Sequence, residues 1–287
     1  MQNAPKDRVG LPGLPGGRAE ARDMSETVLI RSERDGVLTL TFNRPEKLNA
    51  FNDAITHALI DALGYAESEK SVRAIVLRGE GRGFSAGQDL EAFVRLKMSA
   101  TPVSVAEHLR SGYNLIALSI RRIEKPVIAS LNGIAAGVGL SIALACDLRI
   151  AGDDAQLTLG FSKIGLIPDG GGSFMLPLLA GFGRGLELAW TSDKIDANEA
   201  LRLGLVNRVV PAAALADETQ AYAARFAQIS PIALGLTKRA FNRSMLANFA
   251  QWLDEEAELQ EEAAAGPDLM EGVRAFMEKR KPAFAAR

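Results

Sequence analysis

The segment Asn132-Gly133-Ile134-Ala135-Ala136-Gly137-Val138-Gly139 links two apolar stretches and contains three glycines. The stretch before it, Val127–Leu131, predicts a short buried strand, and the stretch after it, Leu140–Ala145, predicts a helix that is buried on all sides. A turn between a strand and a helix leaves backbone N–H groups that point outward. The segment therefore predicts an α/β unit whose turn can receive an acceptor atom.

A second segment, Gly83-Phe84-Ser85-Ala86-Gly87-Gln88-Asp89, has the same setting after the predicted strand Ala74–Leu77. Two separated turns can each aim one N–H at a single carbonyl oxygen, and such a pair stabilises an enolate. A third segment, Ile167-Pro168-Asp169-Gly170-Gly171-Gly172, places one carboxylate among residues that leave the backbone open. A lone carboxylate near the two turns could move the proton that makes the enolate.

The composition is that of a globular chain with a sizeable core, since 47% of the 287 residues are hydrophobic and 24% are charged. The net charge of -2 gives no bulk attraction to nucleic acid or anionic membranes, and no stretch is apolar enough to span a bilayer. The single cysteine, Cys146, lies in an apolar run and predicts an inert buried thiol. Because Met1–Asp23 lacks the apolar core of a signal peptide, we expect a cytoplasmic protein.

The sequence predicts a disordered leader (1–24), an α/β core (25–225) and a helical C-terminal region (226–287). Asp35-Gly36 predicts a two-residue hairpin turn. The predicted strands are Val28–Ser32, Val37–Phe42, Ala74–Leu77, Val127–Leu131, Leu148–Ala151 and Gln156–Leu159. The predicted helices are Asn52–Ala66, Val103–Ile123, Leu140–Ala145, Gly185–Trp190, Ala197–Leu203, Ala213–Ile229, Ile232–Asn242, Phe249–Ala265 and Asp268–Arg280.

Several other chemistries find little support in the sequence. Gly137-Val138-Gly139 begins like a dinucleotide-binding fingerprint, but Ile142 occupies the third small position and no acidic residue follows at the expected distance. No phosphate-binding P-loop motif is present. The two histidines, His57 and His108, lie far apart on polar stretches, so we expect both to be solvated. This argues against a metal site and against a Ser-His-Asp hydrolase.

The three segments, together with two further strings, resemble the crotonase (enoyl-CoA hydratase/isomerase) superfamily. Asn43-Arg44-Pro45-Glu46-Lys47-Leu48-Asn49-Ala50 is similar to the first coenzyme A loop of that family. Gly272-Val273-Arg274-Ala275-Phe276-Met277-Glu278-Lys279-Arg280 is similar to its C-terminal helix. The five motifs occur in the family's order, and the resemblance runs from about Thr27 to the end of the chain.

The resemblance implies an α/β fold in which ββα units form a spiral, followed by helices that drive trimerisation. It implies an acyl-CoA thioester as substrate, no cofactor other than this coenzyme A, no metal, and a homotrimer or dimer of trimers. Carried over by motif, the oxyanion N–H groups would belong to Gln88 and Val138. The residues implied to flank adenine and pantetheine are Ala86, Asp89 and Leu90. Lys47 and Leu48 would line the entrance, and Phe276 with Lys279 would reach a neighbouring subunit's coenzyme A.

The chain departs from the family's hydratases at the two catalytic glutamates. The matching positions hold Ser141 and Phe161, and the latter becomes a substrate-binding candidate. Water addition needs a base and an acid, so their loss argues against efficient hydration. Asp169 is the candidate replacement, and the apolar side chains of Phe161, Ile164, Leu166 and Ile167 would raise its pKa. The alternative is that Asp169 only caps a helix that begins near Gly171.

One carboxylate can move a proton from C2 to C4 of a 3-enoyl thioester, so we expect an isomerase. The string Phe161–Asp169 is most similar to members that isomerise ring-epoxidised phenylacetyl-CoA, and also to Δ3-Δ2-enoyl-CoA isomerases. The sequence leaves two alternatives open. One is a hydratase whose acid and base moved elsewhere, for example to Glu91 or Asp153, and the other is a non-catalytic acyl-CoA-binding protein. Dehalogenation would need a positioned histidine, for which His108 is the only loose candidate. The acyl group itself is not specified by the sequence.

Overall fold

The computed structural model describes residues 28–97 and 104–284, and its main feature is a six-stranded sheet. The strand order is β1-β2-β3-β5-β7-β10, and every neighbouring pair except β1–β2 is parallel. The left-handed residues Asp35 (φ 54) and Gly36 (φ 75) join β1 to β2, which confirms the predicted hairpin. The strands are β1 (Leu29–Arg34), β2 (Val37–Phe42), β3 (Ala74–Gly79), β5 (Val127–Leu131), β7 (Leu148–Gly152) and β10 (Arg208–Val210).

A second sheet holds four short strands: β4 (Gly83–Ser85), β6 (Ile134–Ala136), β8 (Gln156–Thr158) and β9 (Ile195–Asp196). Strands β3, β5 and β7 of the main sheet each lead directly into a short strand of the second sheet. This repeated ββ arrangement confirms the expected spiral. The sequence did not predict β4 and β6, because three residues are too few to show a periodic pattern.

Twelve α-helices lie in the described ranges. They are α1 (Asp53–Ser68), α2 (Leu90–Lys97), α3 (Val105–Ser111), α4 (Tyr113–Arg122), α5 (Gly137–Ala145), α6 (Gly172–Ala180), α7 (Phe182–Thr191), α8 (Ala197–Arg202), α9 (Leu215–Ala227), α10 (Pro231–Met245), α11 (Phe249–Ala265) and α12 (Asp268–Met277). Asn52 is the N-cap of helix α1, and its side chain accepts the Ile55 N–H at 3.1 Å. The single helix predicted over Val103–Ile123 is wrong in its described part. Gly112 (φ -123, ψ -92) leaves helical geometry and separates α3 from α4.

The main sheet is covered on both faces. Helix α5 lies in the larger core and is buried from Val138 to Ala145, as its sequence predicts. Helix α9 covers the other face through Leu215 and Ala223. Cys146 lies in the larger core, where burial raises its pKa to about 12 and keeps the thiol protonated. Its predicted inertness follows from this environment.

The C-terminal helices are fixed to the core by polar contacts. On α10, the partly buried Lys238 ammonium donates to the carbonyl of Ile120 at 2.7 Å and forms an ion pair with Asp147 at 2.7 Å. The predicted boundary at 225/226 falls in the last turn of α9, and the predicted leader (1–24) lies outside the described residues. None of the described helices is both long and apolar enough to cross a membrane.

Candidate active site

The loop formed by residues 43–50 supports the first glycine turn. Asn49 is fully buried, and its side-chain amide donates to the carbonyls of Glu80 (2.9 Å) and Gly83 (2.7 Å). Ser85 donates to the carbonyl of Asn49 at 2.9 Å, while the carbonyl of Leu48 accepts the Ala86 N–H at 2.9 Å. The loop and the turn therefore form one hydrogen-bonded unit.

The two glycine turns are in direct contact. Gly87 has φ +94, and a Cβ atom built on it would lie 3.0 Å from the Ala136 carbonyl oxygen and 3.4 Å from Gly137 Cα. Only glycine allows the backbones to approach this closely. Within the described ranges, neither the Gln88 nor the Val138 N–H donates to a protein acceptor. Both residues line one cavity, whose wall also includes Phe161 and Asp169 and which we call the inner cavity.

The third segment packs against the second turn. A Cβ on Gly170 (φ +61) would lie 3.1 Å from Val138 Cγ2, and one on Gly172 would lie 2.4 Å from Ser141 Oγ. Asp169, which lines the inner cavity, is therefore held next to the second turn. Ser141 is fully buried beneath the loop.

The Asp169 carboxyl group lies in an environment that favours its protonated form. The side chain is 7% exposed. Burial, reinforced by the negative charge of Glu256, raises its pKa to about 8, although the hydrogen bond from Gln260 works in the opposite direction. Oδ2 accepts that bond from Gln260 Nε2 at 2.9 Å, whereas Oδ1 has no partner among the described residues. The raised pKa agrees with the sequence-based expectation.

The alternative role of Asp169 as a helix cap is wrong. Helix α6 follows Gly171, and the Asp169 side chain makes no capping bond to it. Glu256, from α11, accepts the Gly171 N–H at 2.8 Å and the Ser173 N–H at 3.2 Å in its place. The Asp169 side chain is thus available for chemistry.

The inner cavity has a volume of about 380 Å³ and a largely apolar wall. In the part of the chain that the structure describes, Asp169 is the only carboxylate on that wall. Phe161, Ile164 and Leu166 line it as expected, whereas Ile167 contacts Gln260 through its backbone. An apolar chamber with one carboxylate and two unpaired N–H groups can hold a carbonyl compound and move one of its protons.

An outer cavity of about 590 Å³ adjoins the inner one and shares Ala86, Gln88, Leu90 and Phe276 with it. Its wall also includes Lys47, Asp89 and Lys279. Most of the predicted coenzyme A residues therefore meet in one place. Phe276 and Lys279 line the outer cavity of this chain itself. Leu48 acts through its carbonyl, which holds the first turn.

A family model for enoyl-CoA hydratase/isomerase matches residues 32–287. The chain belongs to this family. Its members act on acyl-CoA thioesters. The chain is 38% identical to the 1,2-epoxyphenylacetyl-CoA isomerase of Escherichia coli K12, over 92% of this chain and 100% of the relative. It is 39% identical to a probable enoyl-CoA hydratase of Rhodobacter capsulatus, over 88% of this chain and 96% of the relative.

The fold agrees with the crystal structures of this enoyl-CoA hydratase/isomerase family. An enoyl-CoA hydratase from Mycobacterium avium subsp. paratuberculosis has a TM-score of 0.81 and 33% identity, covering 91% of this chain and 99% of its own. An enoyl-CoA hydratase/isomerase from Pseudoalteromonas atlantica has a TM-score of 0.80 and 33% identity, covering 90% and 100% respectively. The relatives thus include both isomerases and hydratases by name.

Three other acidic residues that were candidates from the sequence, Asp89, Glu91 and Asp153, are absent from the described wall of the inner cavity. The Asp89 carboxylate forms an ion pair with Arg44 at 2.9 Å and accepts the Ala92 N–H at 3.1 Å, so it stabilises the local structure. Glu91 forms an exposed ion pair with Lys47 at 3.0 Å. Asp153 accepts the N–H of Ala212. In the described part of the chain, Glu91 lines the outer cavity and Asp153 lines neither cavity.

His108 is not the solvated residue that the sequence predicts. It lines the inner cavity, its Nε2 is buried without a partner among the described residues, and burial lowers its pKa. Its ring meets the Tyr113 ring edge to face, with centroids 5.4 Å apart. The buried Tyr113 hydroxyl donates in turn to the side chain of Gln88, which places a polar patch at this end of the cavity.

Sequence reasoning also missed Glu256 and Gln260, which hold the Asp169 loop. Both are buried on α11, together with Leu253 and Ala257. The spacing of these four positions is that of one helix face. Polar residues in an otherwise apolar stripe were the available signal, because buried polar groups need specific partners.

Proposed function

We propose that the chain is an acyl-CoA isomerase in which Asp169 carries the proton and the Gln88 and Val138 N–H groups bind the thioester oxygen. The observation that carries the proposal is that, among the residues that the structure describes, Asp169 is the single carboxylate on the wall of the inner cavity. A base with a pKa of about 8 is matched to proton transfer near neutral pH.

The reaction begins when Asp169 Oδ1 takes a proton from C2 of a 3-enoyl thioester. The electron pair of the broken C–H bond moves onto the thioester oxygen, where two backbone N–H groups stabilise the enolate. The proton then passes from Asp169 to C4. As it does, the electron pair returns from oxygen, C2 and C3 become doubly bonded, and the carboxylate is regenerated.

Hydration would need a second group to activate water. The positions of the hydratase glutamates hold the fully buried Ser141 and the apolar Phe161. No second acidic side chain lines the inner cavity within residues 28–97 and 104–284. These features favour proton transfer over water addition.

Two substrate types fit this site. The mostly apolar chamber suits an aliphatic 3-enoyl group, and the relation to an epoxyphenylacetyl-CoA isomerase favours an epoxidised aromatic ring. Isomerisation of either substrate needs no added cofactor, since coenzyme A is part of the substrate. The lysines at the mouth, Lys47 and Lys279, would bind its phosphates.

We also propose a homotrimer or a dimer of trimers. Helix α10 exposes large apolar side chains, among them Ile232 (72% exposed) and Phe241 (66% exposed). Exposed apolar side chains of this size favour association with other subunits. Light scattering measures the mass directly, and a monomeric mass at micromolar concentration would contradict the assembly.

The deciding experiment supplies purified protein with 3-enoyl-CoA, 2-enoyl-CoA and ring-epoxidised phenylacetyl-CoA in parallel. We expect isomerisation of the first or the third, and slow or no hydration of the second. The Asp169→Asn variant should lower kcat by orders of magnitude and leave KM nearly unchanged. Fast hydration without isomerisation would refute the proposal. Coenzyme A binding by calorimetry, with no turnover of any of the three, would indicate a non-catalytic binding protein.

A further inference from the structure

The side chain of Gln260 is fixed in one orientation by three hydrogen bonds. Its Oε1 accepts the Ile167 N–H at 2.9 Å, and its Nε2 donates to the Ile167 carbonyl and to Asp169 Oδ2, both at 2.9 Å. Turning the amide over would place Oε1 against two oxygen acceptors. The fully buried Gln260 therefore holds both the backbone and the carboxylate of the loop.

Glu256 lies one helical turn before Gln260 and holds the next part of the same loop. Its carboxylate accepts the N–H groups of Gly171 (2.8 Å) and Ser173 (3.2 Å) and the hydroxyl of Ser173. That hydroxyl accepts the Trp252 indole N–H at 2.9 Å, so its own proton is directed to Glu256. With 1% of its surface exposed, Glu256 has little contact with water.

We propose that Gln260 and Glu256 are positioning residues of the Asp169 base: Gln260 binds Oδ2 and reserves Oδ1 for the proton, and Glu256 supplies a negative charge beside it. The inference rests on the proposed function, in which Asp169 carries the proton.

The hydrogen bonds decide which of the two carboxyl groups is ionised. Three donors converge on Glu256, whereas Gln260 alone donates to Asp169. Donors stabilise the anion, so Glu256 is the charged member and Asp169 is the one that gains and loses a proton. The order of the pKa values agrees with this, since burial raises that of Glu256 to about 7 and that of Asp169 to about 8.

Other polar groups face this part of the cavity from the elements around it. Tyr113 from α4 is fully buried, and burial raises the pKa of its hydroxyl well above the usual range, so it stays neutral. His108 from α3 has a lowered pKa because of burial. The ammonium groups on the cavity wall are Lys163 and Lys194. Of these groups, Glu256 is the one whose charge raises the pKa of Asp169.

The test is an infrared titration of the Asp169 carboxyl group in the full-length protein, with Asp169→Asn used to identify its C=O band. Glu256→Gln removes the neighbouring charge and should move the titration midpoint to lower pH by about one pH unit. Gln260→Met removes the hydrogen-bond donor to the Asp169 anion and should move the midpoint to higher pH. Glu255→Gln makes the same charge change as Glu256→Gln, but at an exposed position of α11, and should leave the midpoint unchanged.

Opposite shifts in the two variants, with none in the control, would support the inference. Midpoints that stay at the wild-type value, or move in the same direction, would overturn it. If Gln260→Met does not fold, Glu256→Gln decides alone, because an unchanged midpoint overturns the inference and a lowered one supports it. The readout is independent of turnover. Shifted midpoints in a protein without isomerase activity would therefore refute the proposed function and leave the positioning role intact.

Discussion

The hydroxyl of Ser141 lies directly against the backbone of Gly172, where a Cβ atom would come within 2.4 Å of Ser141 Oγ. Ser141 is also 3.5 Å from the Cβ position of Gly170 and has no exposed surface. The loop that carries Asp169 thus rests on a small side chain of helix α5. A longer side chain at this point would have to displace that loop.

Restoring a glutamate at this position should therefore fail to create a hydratase. Ser141→Glu would overfill the contact and bury a carboxyl group, so we expect destabilisation of about 3 kcal/mol or more. Ser141→Ala is the control and should cost less than about 1 kcal/mol, since the hydroxyl makes only a 3.4 Å bond to the Gly137 carbonyl. Thermal unfolding and a hydration assay check both variants. A stable Ser141→Glu protein that hydrates 2-enoyl-CoA would show that the site has room for hydratase chemistry.

The close approach of the two turns predicts a specific effect of Gly87→Ala. The new methyl group would lie 3.0 Å from the Ala136 carbonyl oxygen and push the two N–H donors apart. Loss of one oxyanion donor lowers kcat about 10²–10³-fold. Gly181→Ala is a matched control, because Gly181 also has positive φ (+83) but has no atom within 4 Å of its Cβ position. Both variants should lose stability, whereas only Gly87→Ala should lose turnover, as steady-state kinetics would show.

The raised pKa of Asp169 predicts how stability depends on pH. Its folded value of about 8 exceeds the unfolded value, which is near 3.9. Between these two pH values the folded chain keeps a proton that the unfolded chain has released. The contribution of Asp169 to the free energy of unfolding is therefore lost as the pH rises towards 8. Asp169→Asn should therefore be more stable than the wild type at pH 8, by a few kcal/mol, and this advantage should shrink towards pH 5.

Denaturant unfolding at pH 5 and pH 8 measures this difference. The exposed Asp193→Asn serves as control and should show no such trend. Because Glu256 is present in both the wild type and Asp169→Asn, its own titration largely cancels from the comparison. A stability difference that does not change with pH would mean that Asp169 is not protonated in the folded protein.

The parts of the site that could be predicted from the sequence depend on local backbone chemistry. The glycine turns and Asp169 occur in short strings whose residue types limit what the backbone can do, and the structure brings them to one cavity. His108 could not be placed, because the cavity that surrounds its side chain is built from distant parts of the chain, among them Gln88 and Gln260, and local polarity does not reveal this. The contacts of Gln260 with the Asp169 loop span 91 to 93 positions of sequence, beyond any local pattern.

The differences between the predicted and the observed elements of the fold have a similar cause. The apolar spacing of Leu115, Leu118 and Ile120 predicts a continuous helix through Gly112, yet glycine weakens a helix and the chain turns there. The strands β4 and β6 are defined by pairing with each other, with Gly83 opposite Ile134, and not by their own composition. Short elements of this kind depend on tertiary contacts.

The two lysines at the outer cavity predict a binding defect without a chemical defect. Lys47 and Lys279 line this cavity, and Lys47 is held by an exposed ion pair with Glu91 at 3.0 Å. Replacing either lysine by methionine should raise KM for an acyl-CoA about two- to five-fold and leave kcat unchanged, since exposed charge pairs contribute up to about 1 kcal/mol. The exposed Lys70→Met is the control. Because salt screens such contacts, the difference from the wild type should shrink at high ionic strength. A fall in kcat with an unchanged KM would place these lysines in catalysis and not in binding.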